Sequence, residues 1–191
     1  MRRIIAMRLQ KARVVVCKGL RSYNSAMPQA RLTPGIEIES RGIIRPAVLA
    51  DLPHLLRLEQ EGFAQDHYSS RQYRYYLQRP SNFSLFVYEH RESLVIGSAI
   101  MGWRKKSRIG HLYSIVTSPS HREMGLGSLL LAACEREALI KGCDRIFLEV
   151  RRSNATAVTF YERRGYAITK TVNGYYDGDD ALQMLKQLPV A

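Results

Sequence analysis

The sequence predicts a mixed α/β domain in which one sheet is covered by helices. Two observations carry that reading. Across residues 36–188 the runs follow the order β-α-α-β-β-β-α-β-α-β-β, and most helical runs are bracketed by a capping residue, a glycine or a proline. No internal repeat or low-complexity stretch interrupts the series.

Ile36, Ile38, Ile43 and Ile44 alternate toward Pro46, a first strand with a bend at Arg41-Gly42. Asp51 stands where it can cap the helix that follows, with Pro53 in the first turn and Leu52, Leu55 and Leu56 at helical spacing. Ser69 or Ser70 caps a second helix through Tyr73, Tyr76 and Leu77, halted by Pro80. Residues 83–89 and 94–104 form a hairpin around His90-Arg91-Glu92-Ser93, and residues 110–117 another strand ending at Ser118-Pro119. Leu126, Leu130, Ala133, Cys134 and Ala138 mark one face of a long helix that stops at Gly142. Residues 145–151 read as a buried strand and 154–164 as a short helix ending at Gly165. Residues 166–172 and 181–188 read as the last two strands.

Composition narrows the class. Among 191 residues, 46% hydrophobic and 24% charged is the balance of a globular chain, which excludes wholesale disorder. No apolar run approaches the roughly 20 residues of a bilayer crossing. Cys17, Cys134 and Cys143 cannot close a disulfide set and match no zinc spacing, which points to a reducing compartment such as the cytoplasm. His54, His67, His90, His111 and His121 are scattered, so no metal is expected.

The net charge of +12 suggests nucleic acid until it is divided along the chain. Eight of the 29 basic residues and none of the 17 acidic ones fall within residues 1–36, so the remaining 21 basic residues leave a net of only +4. Residues 1–35 therefore read as an unpacked basic leader, separate from a domain at 36–191. A mitochondrial-type presequence, a solvated tail and an upstream start codon before Met27 all fit it. Nucleic acid and membrane are not expected as partners of the domain.

The most informative stretch is Arg122-Glu123-Met124-Gly125-Leu126-Gly127-Ser128, between a strand and the long helix. A helix N-terminus presents unpartnered N–H groups and partial positive charge, a seat for phosphate. Gly125 and Gly127 lack the Cβ that would hold a pyrophosphate off the backbone, and Arg122 adds a cation. A glycine-rich helix entry that binds nothing is the competing reading. A P-loop lacks its lysine here, and a dinucleotide fingerprint has Leu130 where it needs a third small residue.

The Arg-x-x-Gly-x-Gly loop in residues 112–127 resembles the acetyl-coenzyme A motif of the GCN5-related N-acetyltransferases (GNAT). The match continues through Phe147-Leu148-Glu149-Val150-Arg151, Ser153-Asn154, Phe160-Tyr161-Glu162-Arg163-Arg164-Gly165-Tyr166 and Gly174-Tyr175-Tyr176. This series is similar to the RimI-type branch, the ribosomal-protein N-terminal-alanine acetyltransferases. The resemblance implies a mixed, mostly antiparallel twisted sheet with a splayed parallel central pair and about four flanking helices. It implies acetyl-coenzyme A as cosubstrate, its pantetheine paired along Ile115, Val116 and Thr117 and its pyrophosphate held by residues Arg122, Glu123, Met124, Gly125, Leu126, Gly127 and Ser128. Asn154 would touch the cofactor arm, Glu149 would be general base and Tyr161 general acid, and Tyr175 and Tyr176 would line the acceptor entry.

The chemistry asks for such groups: an amine attacks a thioester only when it can shed a proton, and the departing thiolate needs one. Bland readings exist for each. Glu149 pairs equally well with Arg145 or Arg151 on a half-exposed strand, Tyr161 with a packed core, and Asn154 with a simple helix cap. Asp177, Asp179 and Asp180 either draw a cationic acceptor or form a solvated turn. The branch's Pro-Trp-Ser turn is replaced by Asp66-His67-Tyr68-Ser69, so the alanine-peptide acceptor does not carry over with the fold. The expected function is transfer of an acetyl group to a primary amine by direct attack, the acceptor being a protein or peptide amino terminus. Alternatives are a small polyamine-like or antibiotic amine and, from other classes, a non-catalytic acyl-coenzyme A-binding module or an RNA-associated protein using Arg71–Tyr76 and the leader.

Overall fold

A computed structural model describes residues 42–63, 67–90, 94–121 and 124–189, with the backbone of Arg13–Val14. The rest of the expected leader, residues 36–41 of the expected first strand, the tip of the hairpin and Arg122-Glu123 lie outside the described residues.

The sheet runs β2 (Gly42–Pro46), β3 (Phe83–His90), β4 (Leu94–Gly102), β5 (Ile109–Thr117), β6 (Arg145–Arg151), β8 (Asp179–Gln187) and β7 (Ala167–Tyr176) in spatial order. Along this path every neighbouring pair is antiparallel except β5 and β6. A parallel pair needs a crossover, and the 15-residue α3 (Leu126–Ile140) supplies it. A two-residue strand β1 (Arg13–Val14) adds to β5 in parallel, so part of the leader read as unpacked pairs with the sheet. The unpaired N–H and C=O groups along that edge of β5 account for it.

Each helix begins and ends where local chemistry dictates. α1 (Leu52–Gly62) buries Leu52, Leu55 and Leu58. Asp51 precedes it but does not cap it. A single 3₁₀ turn at Leu49–Asp51 aims its carboxylate backward, where it accepts from Val48 N–H at 2.8 Å and from both terminal nitrogens of Arg45 at 2.8 Å. α2 (Ser70–Leu77) starts at a capping box of Ser69 and Gln72. Glu59 of α1, wholly buried, accepts from Tyr68 N–H at 2.9 Å and Tyr73 OH at 2.8 Å, tying the two helices together. α4 (Ala155–Glu162) is capped by Asn154 Oδ1, which accepts from Ala157 N–H at 3.0 Å.

The two faces are covered unequally. α3 and α4 close one face over Ile96, Leu112, Ile146, Leu148, Val150 and Met184. On the second face α1 and α2 pack on Leu85, Val87, Val95, Ile100 and Val116, which belong to β3, β4 and β5. They leave β6 and β8 uncovered on that side. Tyr73 and Tyr76 are buried in this second core, so the interleaved Arg71–Tyr76 helix does not offer those rings for base stacking.

Candidate active site

β5 and β6 pair only from Ile109↔Arg145 to Leu112↔Leu148, although β5 continues to Thr117 and β6 to Arg151. Beyond Leu112 and Leu148 the two strands part. A bulge accompanies the parting: Met101 faces Leu112 and Ile100 faces Ser114, which leaves Tyr113 as the extra residue of β5. The freed edge of β5 accepts an extended chain, since β1 meets it at Ser114 and Ile115. Of the expected pantetheine partners, Ile115 and Val116 are buried and Thr117 is half-buried, all in this stretch.

The expected anion seat lies at the start of α3. Gly125 is its N-cap at φ +72°, a left-handed conformation glycine adopts without strain, and a Cβ there would project into open space. A Cβ on Gly127 would instead meet the Phe160 ring at 3.5 Å, so this glycine also permits close approach of α3 and α4. Met124 packs against the core and Leu126 is buried in it. The Ser128 hydroxyl accepts a hydrogen bond from Arg164, whose guanidinium also donates to the Phe160 carbonyl at 2.8 Å. Burial pulls Arg164 below the usual guanidinium value. Arg164 is a cation at this helix mouth that the sequence reading passed over. The only signal was its place in the Tyr-Glu-Arg-Arg-Gly run, because 36 positions separate it from Ser128.

Tyr161 of α4 is fully buried on the α3–α4 side, edge-on to the rings of Phe160 and Tyr166. Its hydroxyl bonds nothing among the described residues. Burial pushes the phenol well above its ordinary value, so it stays protonated. A buried hydroxyl normally has a partner, and a group from outside the chain would supply one here. With the edge of β5, which takes an extended strand where β1 now pairs with Ser114 and Ile115, and the open space at Gly125, this hydroxyl makes the residues present fit acetyl-coenzyme A, whose arm would take the place of β1 there.

Glu149 is the first residue of β6 beyond the last β5–β6 pair, and it faces the other side of the sheet. There the uncovered strands floor a cavity of about 570 Å³. Aromatic residues Tyr75, Phe83, Trp103, Tyr113, Phe147 and Tyr175 wall it, with Asn82, Arg104, Ser107, His111, Glu149 and Gln183 as polar groups. Glu149 does not pair with Arg145 or Arg151: its Oε2 lies 2.7 Å from His111 Nε2. Arg145 bonds Asp144, and Arg151 reaches Asp179 and the carbonyl of Asp177. The sequence left His111 among scattered histidines, since only the β5–β6 register brings it to Glu149.

Of the two tyrosines expected at the acceptor entry, Tyr175 lines the cavity. Tyr176 is buried against β6, donating to the Glu149 carbonyl at 3.3 Å. Of the nearby acids Asp177 is exposed, and the other two are bonded within the fold. Asp179 accepts from Ser153 OH at 2.6 Å, and Asp180 from Gly174 N–H at 3.0 Å. Among the described residues no cluster of histidine, cysteine, aspartate and glutamate gathers to hold a metal, and no helix is long and apolar enough to cross a membrane.

The model of the acetyltransferase (GNAT) family matches residues 49–166, more than half of the chain. An uncharacterized N-acetyltransferase of Methanocaldococcus jannaschii is 34% identical over 78% of this chain and 94% of its own length. N-alpha-acetyltransferase 20 of Dictyostelium discoideum is 41% identical over a shorter span, 42% of this chain and 47% of that protein. Among solved structures, the ribosomal-protein-S18-alanine N-acetyltransferase of Escherichia coli superposes with a TM-score of 0.70 at 25% identity, covering 78% of this chain and 96% of the other. The splayed sheet, the glycine-led α3 and these relatives agree: the chain belongs to the GNAT family and is an acetyl-coenzyme A-dependent N-acetyltransferase.

Proposed function

We propose that the acceptor is the amino terminus of a protein or peptide and that it enters through the aromatic cavity. The observation that carries this is the position of Glu149, on the cavity floor and beside the gap between β5 and β6. A terminal amine brought there loses its proton to Glu149 as its nitrogen bonds the thioester carbon. The departing sulfur takes a proton from Tyr161, whose buried hydroxyl has no partner among the described residues, and the acetylated terminus leaves with no covalent enzyme intermediate. The aromatic walls give the first side chain of the peptide an apolar surface to bury. The names of the Dictyostelium relative, an N-alpha-acetyltransferase, and of the Escherichia relative, a ribosomal-protein-S18-alanine N-acetyltransferase, support the same acceptor.

Acetyl-coenzyme A supplies the activated acetyl group, and this chain's own work is positioning. The β5 edge and the mouth of α3 hold the carrier, and alignment of amine and thioester supplies much of the rate.

A thiol-release assay over peptides that differ only in their first residue, with polyamines included, tests the proposal. It predicts turnover of peptides with a marked preference for one first-residue class. Indifference to every peptide, with turnover of a polyamine, overturns it in favour of a small-molecule amine.

A further inference from the structure

The imidazole of His111 occupies a built position. Its ring lies between Tyr113, 4.3 Å away between centroids, and Phe147, 5.0 Å away, so it has little freedom to turn. Its Nε2 stands 2.7 Å from Glu149 Oε2, and both side chains line the aromatic cavity. The side chain of Glu149 is 7% exposed and that of His111 17%.

A carboxylate so nearly buried needs a hydrogen-bond partner to be held in one orientation. Tyr176 of β7 donates its hydroxyl hydrogen to the main-chain carbonyl of Glu149 at 3.3 Å and not to the carboxylate. The cations on the same strand are engaged elsewhere, Arg145 by Asp144 and Arg151 by Asp179. Among the described residues, His111 is the side chain that bonds the carboxylate. A carboxylate acting as acceptor takes its hydrogen from Nε2, and this is the tautomer the inference requires.

Register separates the two roles. The last β5–β6 pair is Leu112↔Leu148, so Glu149 lies just past it, beside the gap, while His111 lies one residue before it. The carboxylate is therefore nearer the reacting atoms, and the imidazole stands behind it. Resting on the acceptor proposed above, we infer that His111 is a positioning residue. By donating from Nε2 to Oε2 it fixes Glu149 and leaves Oε1 directed at the incoming amine. No further bond is made or broken in this arrangement: the amine proton goes to Oε1, and His111 keeps its own.

Three variants and one spectrum test this. His111→Phe fills the same aromatic slot without a donor, His111→Gln keeps a donor amide, and Glu149→Leu removes the carboxylate. His111→Phe should lower kcat about 10- to 100-fold, the size of one lost hydrogen bond to a charged group, with KM for acetyl-coenzyme A unchanged. His111→Gln should recover most of that loss. Adding His111→Phe to Glu149→Leu should cost nothing more, because the histidine acts through the glutamate. In the full-length protein without acceptor, a hydrogen-bonded imidazole N–H proton should be seen by NMR and should vanish in Glu149→Leu.

Wild-type kcat in a folded His111→Phe protein, a His111→Gln variant no better than it, multiplying losses in the double variant, or no bonded imidazole proton would each overturn the inference. The NMR readout needs no acceptor, so it separates this failure from that of the proposed function. A bonded proton in a protein that acetylates only polyamines would sink the peptide acceptor alone, and the kcat comparison would then be read on the polyamine.

Discussion

Arg164 donates to the hydroxyl of Ser128 in the first turn of α3, while its guanidinium carbon stands 3.7 Å above the centre of the Phe160 ring. This pairing puts a fixed positive charge beside the helix mouth where the cofactor's diphosphate is proposed to sit. Replacing Arg164 with alanine should therefore raise KM for acetyl-coenzyme A about 10-fold, the worth of one charge-assisted contact, and leave kcat at saturating cofactor nearly unchanged. Initial-rate kinetics with the cofactor varied decide it. An unchanged KM would remove Arg164 from cofactor binding.

Tyr161→Phe separates packing from chemistry with unusual clarity. Because the hydroxyl bonds nothing among the described residues, its removal should leave the melting temperature unchanged or raise it, by up to about 1 kcal/mol of stability. If that hydroxyl protonates the leaving sulfur, kcat should fall by about 10-fold or more. Thermal denaturation and kcat measured on the same preparation make the comparison.

Gly127 offers a third test. The 3.5 Å clearance to Phe160 accepts a methyl group, so Gly127→Ala should fold and bind cofactor close to normally. Gly127→Glu brings a negative charge to the same helix mouth and should abolish cofactor uptake in calorimetry. Equal affinity in both variants would show that the diphosphate sits elsewhere.

The Arg45–Asp51 pair sets a pH dependence of stability. Hydrogen bonds from Arg45 hold the Asp51 carboxyl below the usual carboxylate range, with the Val48 N–H assisting. A carboxyl depressed in the folded state contributes stability above its unfolded value, near pH 4, and loses it as pH falls through the lower folded value. Asp51→Asn should thus be less stable than the parent by about 1–3 kcal/mol at pH 7. The gap should narrow below about pH 4 in parallel denaturant titrations. A gap constant down to pH 2 would contradict the assignment.

What the chain reveals before folding depends on how far its partners lie apart. Ser69 with Gln72, Asn154 with Ala157, and the glycines after α3 and α4 act within a few residues, so the helix ends can be read from local pattern. Asp51 shows the limit of such reading, because its carboxylate chose a strand arginine over the helix it precedes. The site divides in the same way. Gly125 and the Glu149 strand stand out as motifs, but the His111–Glu149 contact spans 38 positions and exists only because β5 and β6 run parallel in one register. Arg164 and Ser128 likewise meet only once α4 packs beside α3. The bulge at Tyr113, which accompanies the parting of the strands, has no signature in composition or periodicity at all.

α1 and α2 roof only half of the second face, and the strands they leave bare are those that carry Glu149. On the proposed assignment the enzyme then has two doorways rather than one, a front for the polypeptide and a back for its acyl donor, with the parted strands as the wall between them. A long chain is then modified at its tip without being threaded through the fold.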